Sequence, residues 1–233
     1  MQDYRADCAK WPVERGVYVE AEWDPRDPRG EMNFISQIMK AHRFPTVAIA
    51  QAWLHHADCP AVLESHAARG FVRGVRHKPK PGMMDDRTWR DGYRRLAPLG
   101  LHFELQCPWP QLDEAARLAS DFPDTTIVLN HTGLPDASDG WLPAMRQLSA
   151  CPNATVKISG MGVPQRDALL STIELFGTAR AMFASNFPVD SLRASFDRIY
   201  SDFSSMTSEF PSSERRALFY GNAVRIYRME PAA

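Results

Sequence analysis

The chain has 233 residues, a formal net charge of −1 and 24% charged residues, which is the composition of an ordinary globular protein. Its basic residues are dispersed and its apolar runs are far shorter than the roughly 20 residues of a membrane span, so we expect neither a nucleic-acid face nor a membrane segment. The first residues carry no signal-peptide pattern, which predicts a cytoplasmic protein whose partner is a small-molecule substrate.

Short apolar runs typical of strands alternate with longer amphipathic segments along the chain. The chain opens on residues 3–11, which look like the end of a helix. The predicted strands are residues 16–22, 46–53, 72–77, 102–106, 126–131, 155–160 and 181–186. Between them, apolar residues follow helical spacing. The clearest apolar stripes are Met32, Ile35, Ile38 and Met39, then Trp89, Tyr93 and Leu96.

Strands that alternate with helices predict a parallel sheet with right-handed crossovers. No linker rich in Pro, Gly or Ser divides the chain, so residues 1–233 are predicted to form a single domain. The predicted fold class is α/β, a TIM-type (β/α) barrel with seven of eight strand–helix units visible and the first strand missing. The two strands left unpaired by that gap predict a poorly soluble or homo-oligomeric protein. An in-frame strand with a His-x-His pair encoded upstream of Met1 would instead show that the start is misassigned.

Several predicted strands end on polar residues, and in a β/α barrel the carboxyl ends of the strands surround the active site. The run 126–131 is an apolar strand that ends on His131, either as a functional residue or as a packed core histidine. Arg76 has two interpretations. Its guanidinium either binds a carboxylate or carbonyl oxygen of the substrate, or is a charge on the protein surface. Lys157 is either a substrate ligand or an ion-pair partner of a glutamate. Other polar residues near strand ends are Glu20, Glu22, Gln51, His77, Glu104, Gln106, Ser159, Asn186 and Asp190.

The spacing of cysteines and histidines gives only a weak indication of a metal. Four cysteines lie far apart and form no Cys-x-x-Cys pair, namely Cys8, Cys59, Cys107 and Cys151. This pattern argues for reduced thiols, and Cys107 is interpreted as a packed thiol rather than a nucleophile. His55 and His56 are interpreted as a solvated loop. A divalent metal such as zinc, bound by His131, His77 and a carboxylate, is the weakly supported alternative.

Six segments together resemble the amidohydrolase-2 branch of the amidohydrolase superfamily, which includes pyrone-dicarboxylate lactonases and sugar-acid lactonases. They are residues 19–22 (VEAE), 74–77 (GVRH), 130–135 (NHTGLP), 157–160 (KISG), 183–190 (FASNFPVD) and 222–227 (NAVRIY). The resemblance implies a distorted eight-stranded barrel that hydrolyses lactones or related carbonyl compounds, while a neighbouring branch decarboxylates. It also implies that His131 is the active-site histidine of the sixth strand, Arg76 a substrate-binding residue and position 186 the catalytic position of the eighth strand.

The chain departs from the family pattern at two places. The family's opening strand carries a His-x-His pair, and that strand is missing here. The family usually has an aspartate where this chain has Asn186. An amide can hold a water molecule by hydrogen bonds but cannot act as a base near neutral pH. Both departures argue against a metal, and the second questions the family mechanism.

The sequence therefore predicts a hydrolase that opens a lactone or similar ester-like carbonyl by water attack. In this prediction His131 polarises the carbonyl or positions water, Asn186 orients that water, and a carboxylate takes the proton. The candidates for that carboxylate are Asp190, Glu22 and Glu104. The predicted substrate-binding residues are Arg76, His77, Gln106 and Lys157. The alternatives are a catalytically inactive barrel that retains a ligand-binding role and a decarboxylase.

Overall fold

The computed structural model describes residues 1–229, and within them seven strands form one parallel sheet. The strands are β1 (Val17–Val19), β2 (Val47–Gln51), β3 (Val72–His77), β4 (His102–Leu105), β5 (Ile127–Leu129), β6 (Ala154–Ile158) and β7 (Ala181–Phe183). Strand order in the sheet follows chain order from β1 to β7. Every connection between strands is therefore a crossover, as parallel neighbours require.

Helices occupy most of these crossovers. They are α1 (Gln2–Asp7), α2 (Gly30–His42), α3 (Cys59–Ala67), α4 (Arg87–Tyr93), α5 (Leu112–Asp121), α6 (Trp141–Ser149), α7 (Arg166–Phe176), α8 (Phe196–Met206), α9 (Ser212–Arg216) and α10 (Asn222–Ile226). A π-helical turn, Ala217–Gly221, joins α9 to α10. Short 3-10 turns are Met83–Asp85, Trp109–Gln111, His131–Gly133 and Val189–Leu192. None of the helices in residues 1–229 is long and apolar enough to cross a membrane.

All seven predicted strands are present, and β3 has the predicted bounds. The others are shorter than predicted at one or both ends, most of all β1, because the backbone leaves the sheet after Val19 and turns left-handed at Glu22, where φ is 56°. Glu20 and Glu22, both inside the predicted strand 16–22, therefore lie beyond the end of β1 and in different environments. Glu20 is buried, whereas Glu22 is exposed.

The two faces of the sheet are lined by different residues, because side chains alternate along a strand. Helix-facing positions form the larger apolar core, which includes Ala48, Phe103, Leu129, Val156 and Phe183. A second, smaller cluster brings together Ile49 of β2, Val128 of β5 and Met182 of β7. Side chains of such distant strands can touch only if the sheet curls around them. The sheet is thus an open barrel, which confirms the predicted fold class.

The described residues contain no strand that joins β7 to β1, so the barrel has a seam between these two strands. Helix α1 spans the seam on the outside. Its Tyr4 ring contacts Phe44, just before β2, at 5.3 Å between centroids, and Phe196 of α8 at 6.2 Å. The π-helical turn and α10, which follow α8, lie against β7, and Tyr227 joins the smaller cluster inside the barrel.

Candidate active site

The carboxyl ends of the strands form one rim of the barrel, here called the mouth, and Arg76 connects three of its strands. Its Nε donates to Glu20 Oε1 at 2.5 Å, and its Nη2 donates to the backbone oxygen of Glu20 at 2.5 Å. Its Nη1 donates to Gln106 Oε1 at 3.1 Å. A guanidinium has five N–H groups, so two remain for a ligand. The guanidinium of Arg76 is therefore held in a fixed orientation, and two of its N–H groups are available to a ligand.

His131 follows β5 in a tight turn. Its backbone is left-handed, with φ of 56°, and so is that of Thr132 and Gly133, with φ of 55° and 68°. The ring is partly buried, and its Nδ1 lies 2.9 Å from the hydroxyl of Ser159, which follows β6. Burial, with help from the charges of Lys157 and Arg76, lowers the pKa of His131 to about 3. The imidazole is therefore neutral near pH 7.

Gly160 makes room for that ring. Its φ is +70°, a conformation that residues with a side chain rarely adopt. A Cβ atom at this position would also overlap the Cβ, Cγ and Nδ1 atoms of His131. Both observations require glycine here. The sequence analysis assigned no role to Gly160, although it closes a run, residues 157–160, that carries the family resemblance.

Asn186 and Asp190 form a second part of the mouth, after β7. The Asn186 backbone is left-handed, with φ of 51°. Its Nδ2 donates to Asp190 Oδ1 at 2.8 Å, and Asp190 Oδ2 accepts from the Gly162 backbone N–H at 3.2 Å. Because the amide nitrogen is committed to Asp190, the Oδ1 atom of Asn186 is the end that can accept from a water molecule. Asp190 itself is buried.

Lys157 lies deeper in the barrel, in a buried polar group. Its Nζ is 2.7 Å from Glu104 Oε2, and Glu104 Oε1 accepts from the Tyr227 hydroxyl at 2.6 Å. The ring of His102 is also close, with Nε2 at 3.7 Å from Glu104 Oε1. Burial favours the neutral form of Glu104, but Lys157 and His102 outweigh it and hold the pKa of this carboxyl at about 2. Of the two sequence interpretations of Lys157, the structure shows the ion pair.

The side chains of Glu22 and His77 have other partners than these residues. Glu22 is exposed and pairs with Lys78 at 2.9 Å. His77 is on the opposite face of β3 from Arg76, and its Nδ1 accepts from Trp89 Nε1 at 3.0 Å. The structure therefore does not bring His77 together with Arg76, and its predicted contact with substrate stays a prediction.

The loop after β2 differs in part from its prediction. The ring of His55 stacks on His77, with centroids 5.6 Å apart, and its Nδ1 is buried, whereas His56 is exposed. The interpretation as a solvated loop is therefore correct for His56 and wrong for His55. Cys107 is buried, and burial raises the pKa of its thiol to about 12, as expected for a packed thiol.

The predicted alternative of a metal can be tested on the ligands themselves. Across residues 1–229, no three side chains of His, Cys, Asp or Glu are grouped so that they could hold a metal ion. Nδ1 of His131 is engaged with Ser159, and the cations nearest its ring are Lys157 and Arg76. These residues do not fit a metal site, so the chemistry below uses none.

Comparisons with known proteins cover almost the whole chain. A family model described as amidohydrolase matches residues 2–229. The uncharacterized protein y4mH of Sinorhizobium fredii is 35% identical, over 98% of this chain and 85% of its own length. An L-fucono-1,5-lactonase of Burkholderia ambifaria is 25% identical, over 98% of this chain and 85% of its own length.

Solved structures share the fold. An amidohydrolase from Burkholderia multivorans with bound HEPES has a TM-score of 0.88 at 22% identity, covering 98% of this chain and 88% of the other. A structure of a Burkholderia multivorans amidohydrolase with bound zinc has a TM-score of 0.85 at 21% identity, with the same coverage. At this identity the likeness establishes the barrel and leaves the chemistry to be argued from the residues.

Proposed function

This chain belongs to the amidohydrolase family and is a hydrolase, and from that premise we propose that it opens an uncharged, hydroxyl-bearing lactone by attack of water. The similarity to an L-fucono-1,5-lactonase supports a lactone as substrate. The polar groups at the mouth support water attack on a carbonyl, since they include donors for an oxyanion and an acceptor for water.

The observation that carries the choice of an uncharged substrate is the pairing of the cations around His131. The side chains whose positive charges act on its ring are Lys157, Arg76 and Lys78. Each already has a carboxylate partner. The pairs are Arg76–Glu20 at 2.5 Å, Lys78–Glu22 at 2.9 Å and Lys157–Glu104 at 2.7 Å. Three positive and three negative charges sum to zero, so a substrate carboxylate meets no unpaired cation among them.

The carbonyl oxygen of the lactone is assigned to Arg76 and His131. Arg76 has two uncommitted N–H groups on a guanidinium fixed by Glu20 and Gln106. His131 is a neutral imidazole, which can donate from Nε2 if its Nδ1 accepts from Ser159. Such fixed donors stabilise the negative charge that develops on the oxygen when water attacks.

The water molecule is assigned to Asn186 and its proton to Asp190. Asn186 Oδ1 orients the water, while its Nδ2 is held by Asp190. Of the three predicted bases, Glu22 and Glu104 are neutralised in ion pairs, whereas Asp190 accepts only from uncharged N–H groups. The water oxygen bonds to the carbonyl carbon, the ring C–O bond breaks, and the released ring oxygen takes the proton. The product is a hydroxy acid.

The proposal is tested by measuring acid release from matched lactones. Five- and six-membered aldonolactones are compared with lactones of the same ring that carry a carboxylate. We expect kcat/KM to be about 10²-fold higher for the uncharged set, because a buried unpaired anion is disfavoured by several kcal/mol. Preference for the carboxylated lactones would overturn the charge assignment. Binding of lactones without turnover would favour the inactive barrel, and CO2 release from hydroxybenzoates would favour the decarboxylase.

The proton acceptor is tested by exchanging the two side chains after β7. Asp190→Asn is expected to lose about 10²-fold in kcat or more, the usual contribution of a general base. Asn186→Asp places two carboxylates 2.8 Å apart, which raises the pKa of one of them, so its rate should climb with pH. The double variant Asn186→Asp/Asp190→Asn should recover part of the loss. Full activity in Asp190→Asn would remove Asp190 from the mechanism.

A further inference from the structure

Beneath the mouth, the interior of the barrel holds a group of four buried polar residues, here called the inner network. Its members are His102, Glu104, Lys157 and Tyr227, all at most 7% exposed. Interiors of such barrels are usually filled by layers of Val, Ile and Leu. A buried ion pair is often no more stable than apolar residues of the same size. Folding alone therefore gives little reason for this network.

Tyr227 enters the network from the far end of the chain. Its backbone oxygen accepts from Arg73 Nε at 3.0 Å, and Arg228 Nη2 donates to the backbone oxygen of Gly100 at 2.6 Å. Arg73 lies near the start of β3, and Gly100 just before β4, so this segment closes the amino-terminal end of the barrel. From there the tyrosine hydroxyl reaches Glu104 Oε1.

Glu104 connects that hydroxyl to Lys157. The charged groups that act on Lys157 are Glu104 on β4 and Arg76 on the neighbouring strand β3. The positive charge of Lys157 acts in turn on His131. Burial lowers the pKa of Lys157, Arg76 lowers it further, and Glu104 raises it. Without Glu104, every remaining influence favours the neutral amine.

We propose that Glu104 and Tyr227 are positioning residues of the active site. The Tyr227 hydroxyl fixes the Glu104 carboxylate, and this carboxylate keeps the Lys157 ammonium protonated and in place beside Arg76 and His131. The inference rests on the proposed function only in that the site above the network is hydrolytic. It assigns a role in the site to a residue near the end of the chain, which no local pattern connects to the mouth.

Two conservative variants and a matched control test the proposal. Tyr227→Phe removes only the hydroxyl, and Glu104→Gln keeps the shape but removes the charge. The control is Tyr93→Phe, because the Tyr93 hydroxyl is buried without a hydrogen-bond partner on the helix-facing side. Each variant is measured by kcat and KM on the best lactone over a range of pH. Titration of the Lys157 side-chain resonances by NMR, assigned with Lys157→Arg, gives a readout that needs no turnover.

We expect Tyr227→Phe to lower kcat about tenfold with KM within about twofold of wild type, the usual effect of a lost hydrogen bond to a charged group. Glu104→Gln should lower the pKa of Lys157, because it removes the one carboxylate that raises it, and should move the alkaline limb of kcat to lower pH. Tyr93→Phe should change neither. An unchanged Lys157 titration in Glu104→Gln would overturn the proposal, as would a Tyr227→Phe variant with a lower melting temperature but wild-type kcat.

Failure of the proposed function is distinguishable from failure of this inference. If wild type hydrolyses no lactone, the substrate assignment fails, whereas the NMR titration still decides whether Glu104 holds the proton on Lys157. If Glu104→Gln does not fold, Tyr227→Phe decides through kcat and its pH profile.

Discussion

The inner and outer faces of the same seven strands both hold apolar residues, but the inner face also carries buried ion pairs. The outer face is apolar and packs on the helices, and the buried histidines in this layer have neutral partners, as in His66 of α3 with the Gln51 carbonyl at 3.0 Å. The inner face carries ion pairs that are almost completely buried, such as Lys157 with Glu104. Apolar burial on the outer face drives folding, whereas desolvated charges on the inner face do not. Residues that stabilise the fold therefore alternate along each strand with residues that face the active site.

The sharpest test of this comparison uses two histidines at the ends of strands. His131→Ala should lower kcat about 10³-fold, with a melting temperature within a few degrees of wild type, because it removes an oxyanion donor from a partly exposed position. His77→Ala should keep the wild-type rate but lower the melting temperature, because it leaves Trp89 Nε1 buried without a partner. Lactone hydrolysis and thermal unfolding measure both.

The opposite results would break the comparison. If His77→Ala abolished turnover at an unchanged melting temperature, the result would support the substrate contact predicted for His77 from sequence. If His131→Ala unfolded the protein, the core-histidine interpretation would hold for His131.

A smaller effect is expected from two glycines with similar positive φ and different surroundings. Gly160 and Gly177 have φ of +70° and +73°, but only at Gly160 would a new Cβ meet neighbours, the ring of His131. Gly160→Ala should therefore lower kcat roughly 10- to 100-fold by displacing His131. Gly177, with φ of 73° and ψ of 159°, lies in a region that is essentially restricted to glycine, so Gly177→Ala should cost about 1–3 kcal/mol of unfolding free energy but keep the wild-type kcat. Equal kinetics in the two variants would show that the position of the His131 ring does not limit turnover.

The last test concerns the pH dependence of stability that comes from two buried histidines. Burial lowers the pKa of His66 to about 4 and that of His77 to about 3. In the unfolded chain both titrate near 6.5, so the unfolded state binds protons first as the pH falls. This part of the stability is complete above about pH 6.5 and is lost toward pH 4, by roughly 1.4 kcal/mol per pH unit for each histidine. Urea unfolding at several pH values should show a shallower slope in His66→Gln, and an unchanged slope would contradict the assignment.

Much of the fold could be predicted from local patterns. Apolar runs located all seven strands, and the buried Trp89 and Tyr93 had been placed in an amphipathic helix by their spacing. The ends of strands were less well predicted, because a left-handed residue such as Glu22 has no signature in an apolar pattern.

The candidate site could be predicted only in part. His131 and Arg76 were found from their positions at strand ends. Alternation along β3 places Arg76 and His77 on opposite faces of the sheet, so the sequence itself indicates that only one of them can face the mouth. Tyr227 ends residues 222–227, one of the runs that carry the family resemblance, but its contact with Glu104 could not be predicted. The two residues are 123 positions apart in the chain, and only the closed end of the barrel brings them together.

The left-handed backbone at the mouth has a consequence for laboratory evolution. His131 and Asn186 have φ of 56° and 51°, a conformation that typically costs a residue with a side chain about 1 kcal/mol. A library selected only for resistance to heat would therefore enrich glycine at these positions and discard the groups assigned to the reaction. The same enrichment makes selection for heat resistance a way to map the active site. Positions at which a substitution raises the melting temperature but lowers kcat are those that take part in the reaction.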